Sequence, residues 1–339
     1  MATIAIQRTT AAGRVPARVV ANRIEPSLLL LTGFLAASGL SELLFQRVVY
    51  RVGVHIPRDG AFLRAYDFAT EAGDLAFRFT AVLLVLSAVI LTLWLLRDGA
   101  RPVAGALLAA LLAANLLAWP LRLEAGSQAA PIIFAAGVAW LLGQSLARPN
   151  PLALKGATAA AAITLLLGQY RVGFSDLGVA ANGVAGVQLA TEVTLLASAA
   201  LLAVAAMRAA NRRLACVSAL LVAALLGAAY VREPATLAIV SLWATGVTLS
   251  LPAFLYLVAF GGVVFAAVAW LRDPGSRHLG IAVALLVVAG VQPQVLHHDI
   301  TALIALILLS LGLQAPAKAE PVNANTQVHD SAAVVEGAS

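Results

Sequence analysis

Residues 186–207 read GVQLATEVTLLASAALLAVAAM, and Glu192 is the only charged side chain in the run. A helix needs about 20 consecutive apolar residues to cross the hydrocarbon core of a bilayer. A soluble helix of this length would instead alternate a core face with a polar face every three to four residues. No such alternation is present, so the stretch reads as a membrane-spanning helix carrying one acid at depth.

The same texture extends in both directions. The run is part of Leu177–Met207, again interrupted only by Glu192. Uncharged spans also cover Phe79–Leu96, Pro102–Leu121, Ala125–Ala147, Gly156–Tyr170, Leu214–Val231, Pro234–Leu271, His278–His298 and Ile300–Ala317. The Gly156–Tyr170 span is long enough if it starts near Leu152 and Lys155 snorkels to the surface. The N-terminal stretch holds Arg8, Arg14, Arg18 and Arg23 with no acid before Glu25, and Pro26–Ser41 is then apolar. A secretory signal with cleavage near Ala36-Ala37-Ser38 is one reading. Because the apolar pattern resumes at Leu43–Phe45, a retained first helix behind a basic cytoplasmic arm is the preferred one.

Composition agrees. The 339 residues are 61% hydrophobic and 11% charged, against about 25% charged in soluble domains. So few charges cannot cover a soluble surface, whereas lipid removes that need. The excess of 22 Lys and Arg over 16 Asp and Glu falls singly or in pairs between apolar blocks. It therefore points to orientation in a membrane and away from nucleic acid. Two lysines among many Ala, Leu and Arg residues fit a GC-rich bacterial genome, hence a bacterial inner (plasma) membrane. The single cysteine, Cys216, excludes an internal disulfide and a cysteine zinc site and reads as a small apolar packing residue.

Arginine placement sets the topology. With the N-terminal arm inside, the inner loops hold Arg97/Arg101, Arg148/Lys155 and Arg208/Arg212/Arg213, while the later outer loops hold only Arg122, Arg171 and Arg232. That asymmetry follows the positive-inside rule. Pro234–Leu271 is either two crossings joined at Ser250-Leu251-Pro252, where the proline supports a break, or one crossing preceded by a re-entrant or interfacial segment. The loop Arg272–Arg277 falls inside only if it crosses once. The expected architecture is an all-α, polytopic bundle of about ten spanning helices, or eleven if that segment crosses twice. It divides into a basic cytoplasmic arm at 1–25, a bundle at 26–315 with a charged external hairpin at 47–78, and a disordered tail at 316–339.

Three groups of residues could carry chemistry. Arg64, Asp67, Glu71, Asp74 and Arg78 are spaced to share one helix face. The acids Asp67, Glu71 and Asp74 are candidates for a cation site or a general base, although paired charges on a solvated helix explain them as well. Glu42, Glu192, His297, His298 and Asp299 lie in or at the edge of apolar spans, where an ionisable group is costly and is a functional candidate by default. Gln292-Pro293-Gln294 implies a surface turn, which would put His297, His298 and Asp299 at the interface. Haem held between two histidines is disfavoured, because no other histidine lies within an apolar run. Arg122, Arg171 and Arg232 at the outer surface are candidates for binding phosphate or lipid headgroups, and ordinary loop ion pairs explain them too. Leu141-Leu142-Gly143-Gln144 recurs as Leu166-Leu167-Gly168-Gln169, a weak internal echo.

No nucleotide loop, zinc-protease, CxxC or nucleophile-elbow motif is present, and the residues name neither a metal nor a cofactor. The expected function is a permease, or the membrane-embedded subunit of a transport or energy-transducing complex, with membrane lipids and other membrane subunits as partners. The alternative is a membrane transferase acting on a lipid-linked substrate at the outer surface.

Overall fold

The structure is a computed structural model describing residues 81–97, 101–118, 121–176, 181–209, 211–232, 250–291 and 295–312. The side chains of 127, 170–176, 181–184, 232, 291 and 295–297 are not described. The basic arm, Glu42, the hairpin with Asp67, Glu71 and Asp74, most of the first half of Pro234–Leu271 and the C-terminal tail all lie outside the described residues. So does the distinction between ten and eleven crossings.

The described residues are 89% helical with no strand, as the apolar runs require. In chain order the helices are α1 (Ala81–Arg97), α2 (Pro102–Ala118), α3 (Glu124–Ala147), α4 (Leu152–Asp176), α5 (Ala181–Ala206), α6 (Arg212–Arg232), α7 (Ala253–Leu271), α8 (Arg277–Val291) and α9 (Val295–Leu311). Five of them, α3 to α7, contain stretches long and apolar enough to cross a membrane. Pro102 opens α2, where a missing N–H costs nothing. Pro252 stands at the N-cap of α7 with φ −53°, so the helix starts just after the break marked by Ser250-Leu251-Pro252.

Burial varies sharply between helices. In α9 every residue from His298 to Ser310 is buried, the behaviour of a helix that is apolar on all sides and forms the centre of a bundle. It packs in a hairpin with α8 and against α2, α3 and α4. At the other extreme α6 turns Val217, Leu220, Leu221 and Leu225 outward, and Cys216 is exposed beside them. Cys216 is therefore not a packing residue within the fold.

Glycine makes α7 a wedge. A Cβ on Gly261 would stand 3.6 Å from Ala223 Cβ of α6, and one on Gly262 would stand 3.3 Å from Ala203 Cβ of α5. Adjacent glycines, about 100° apart around the helix, thus let two neighbours approach on different faces.

The basic turns gather at one end. Arg101 bonds Ser310, as does Arg148, the Asn211 amide donates to the Arg272 carbonyl at 3.3 Å, and His278 Nε2 meets the Gly312 carbonyl at 3.0 Å. Because α2, α4 and α6 all begin at that end, Arg122 and the backbones of Arg171 and Arg232 lie at the opposite one.

Two boundaries differ from the sequence reading. The uncharged spans His278–His298 and Ile300–Ala317 meet at Asp299, although a turn is expected earlier, at Gln292-Pro293-Gln294. The helices run Arg277–Val291 and Val295–Leu311, so Asp299 lies inside the last helix and not at its boundary. Helix α4 continues through Arg171 to Asp176 instead of ending at Tyr170. Charge alone does not stop a helix, and no proline or glycine pair follows Tyr170.

Candidate functional site: two buried carboxylates in a polar belt

Glu192 is fully buried near the middle of α5. Gln169 of the preceding helix, one neighbour that sequence order suggests, bonds Asp299 instead, and the side chains of Tyr170 and Arg171, the other two, lie outside the described ones. Among the described residues the partners of Glu192 come from its own helix and from the start of α7. Tyr256 Oη donates to Oε2 at 2.5 Å and Ser250 Oγ at 2.8 Å. The backbone N–H groups of Ser250 and Leu251 donate to the same oxygen at 3.1 and 3.2 Å, and Gln188 Nε2 reaches Oε1 at 3.3 Å. Pro252 caps α7 with no side-chain hydrogen bond of its own. Glu192 therefore supplies, from another helix, the acceptor that the non-helical backbone before α7 needs. Irregular backbone inside an apolar bundle is tolerated only when such partners exist.

Asp299 is equally buried, at 1% exposure, in the second turn of α9. Among the described residues its hydrogen-bond partner is Gln169 of α4, whose Nε2 donates to Oδ1 at 2.8 Å. His298 beside it is also buried. Its Nδ1 lies 2.9 Å from the Ala289 carbonyl of α8 and its ring is tilted against Phe134 of α3 at 6.4 Å. His298 and Asp299 thus sit inside protein, within α9. Phe134 of α3, Gln169 of α4 and Ala289 of α8 stand against the two side chains.

Heights along the helices match. Glu192 is 14 residues before the end of α5 and Asp299 is 12 before the end of α9. At 1.5 Å per residue those are about 21 and about 18 Å from the basic end. Between them lies a seam of hydroxyls, in which Thr164 of α4 donates to Thr194 of α5 at 2.8 Å. Ser198 and Thr301 have buried hydroxyl oxygens without a partner. A polar belt therefore crosses the bundle from α9 through α4 and α5 to α7.

The two acids differ chemically. Glu192 is surrounded by donors from neutral groups, a setting that serves as a strut. Asp299 has one neutral amide donor and no cation among the described residues. An ionised carboxylate is costly in such surroundings, a cost that a proton or a bound cation would remove.

Arg122 is exposed in the turn before α3 with φ +52°, a conformation unusual for a residue with a Cβ. The side chains of His297, Arg171 and Arg232 lie outside the described ones. Among the described residues no three His, Cys, Asp or Glu side chains converge as a metal ion would require.

Ser250 stands out in the sequence only as part of a break and Gln169 only as a neighbour for Glu192; the pairings of Ser250 with Glu192 and of Gln169 with Asp299 are not legible there. For Tyr256, four residues past a proline break, the sequence holds no signal.

No known family model, curated protein or solved structure matches this chain.

Proposed function

We propose that this chain is a permease, or the membrane-embedded subunit of a transport or energy-transducing complex, in which Asp299 is the group that takes up and releases a proton or monovalent cation. One observation carries the reading: a carboxyl at 1% exposure that is held, among the described residues, by a single neutral donor. A membrane transferase acting on a lipid-linked substrate at the outer surface would instead use Asp67, Glu71 and Asp74, which lie outside the described residues. Glu192 serves as the strut that fixes the start of α7. The bundle belongs in the plasma membrane, with the end carrying Arg101, Arg148 and Arg272 toward the cytoplasm. About ten crossings and a cytoplasmic N-terminus complete the arrangement.

Reconstitution tests this. The full chain is placed in liposomes containing a pH-sensitive dye, and proton entry is followed under a potassium diffusion potential, with radioactive sodium uptake measured in parallel. One of the two fluxes should depend on the protein, and Asp299→Asn should lower it at least about tenfold, the loss expected when an essential proton-transfer group is removed. The amide still accepts the Gln169 bond, so the fold is kept. Undiminished flux in Asp299→Asn, or no flux of either ion in the unaltered protein, would reject the proposal.

A further inference from the structure

The basic end of the bundle holds a second polar cluster, which that reading does not use. Arg101 is 5% exposed, and its guanidinium donates to both the hydroxyl and the carbonyl of Ser310, the latter at 2.8 Å. Arg148 donates to the same carbonyl at 3.2 Å. Two guanidiniums therefore share one acceptor near the C-terminal end of α9, and neither meets a carboxylate among the described residues. Asn150, tied to Arg148 by a tight turn whose N–H···O distance is 2.8 Å, has its side-chain Nδ2 buried without a partner. It lies against Gly312, whose φ of +74° and lack of a Cβ make room for the amide.

Donors exceed acceptors here by a margin that the helix end cannot absorb. A helix C-terminus is equivalent to about half a negative charge, against two full cations. Each guanidinium has five N–H groups, and only some of these are engaged by Ser310. Burial lowers the proton affinity of Arg148 below the ordinary arginine value, and no anion among the described residues offsets that burial.

The surroundings name the kind of anion. Lys155 donates to the Leu146 carbonyl at 2.8 Å, which adds a third cation to the rim. Leu146 and Leu152, on either side of the α3–α4 turn, are 50% and 86% exposed. A phosphate group matches forked arginine donors, and exposed leucines beside it suit acyl chains. We propose that Arg101, Arg148 and Asn150 form a phosphate site that holds the headgroup of an anionic phospholipid at the α3–α4 turn, beside the end of α9. Such a lipid would tie α2, α3, α4 and α9 together at their shared end.

The experiment is thermal unfolding of the full chain in detergent with added phosphatidylglycerol, phosphatidylcholine or millimolar inorganic phosphate. Arg148 is the residue to alter, because removing the buried Arg101 would also untie α9. Phosphatidylglycerol should raise the midpoint by at least about 3 °C more than phosphatidylcholine does. Arg148→Gln and Asn150→Ala should each lose most of that difference. Arg208→Gln, an exposed basic residue outside the cluster, should keep it. Equal effects of the two lipids would overturn the site, as would an equal loss in Arg208→Gln, since that signals diffuse attraction. A matching shift with inorganic phosphate alone would overturn the assignment to a lipid.

Discussion

The Tyr256 hydroxyl on α7 and the Glu192 carboxylate on α5 meet at 2.5 Å inside the bundle, joining a helix interior to the first turn of another helix. Tyr256→Phe removes this donor and leaves those of Ser250 and Leu251 in place. Its expected cost is about 1–2 kcal/mol, between the values for bonds to charged groups in water-soluble folds and for interhelical bonds in membranes. Glu192→Gln keeps one acceptor and should cost a similar amount. Glu192→Leu strands two backbone N–H groups and should cost at least about 3 kcal/mol. Denaturant unfolding in detergent measures all three. A Leu variant as stable as the Gln variant would mean that Glu192 does not hold the start of α7.

Stability and transport should separate at Asp299. Gln169→Leu removes its hydrogen-bond donor and should cost about 1–3 kcal/mol, because a buried polar group is left unpaired. Adding Asp299→Leu replaces both partners with apolar side chains and should recover most of that loss. The double variant should nevertheless carry no ion flux. A double variant with normal flux would remove Asp299 from the transport path.

Glycine substitutions should divide by what a Cβ would meet. At Gly280 it would fall 2.5 Å from the Leu271 N atom and 2.9 Å from the Ala267 carbonyl oxygen. Backbone cannot yield as a side chain can, so Gly280→Ala should destabilise by at least about 2 kcal/mol. At Gly168 nothing lies within 4 Å, and Gly168→Ala should be neutral or stabilising by up to about 1 kcal/mol. Thermal midpoints of the two variants check the packing of α8 on α7.

Orientation can be read by cysteine labelling in a Cys216→Ala background. Single cysteines at Pro149, Asn211 and Gly275, all in turns at the basic end, should be shielded from an impermeant thiol reagent in intact cells. A cysteine at Leu123, exposed at the opposite end, should react. The reverse pattern would invert the bundle in the membrane.

An all-helical fold, the existence of α2 to α7 and the clustering of basic turns were legible in the residues. Uninterrupted apolar runs leave the backbone no partner but itself, and arginine sits at their ends. The proline break before α7 was legible too, because it depends on a missing N–H that any neighbourhood would feel. Burial of Glu192 followed from the cost of a charge facing lipid, yet its partners did not, since Ser250 and Tyr256 are about 60 residues away along the chain. Only the parallel packing of α5 and α7, permitted by Gly262, brings them together. The centrality of α9 was likewise undecided by sequence, because in an apolar bundle the lipid-facing and protein-facing sides have the same composition. Without a polar face to mark the outside, the choice between lipid and protein falls to packing, and so does the fate of Asp299.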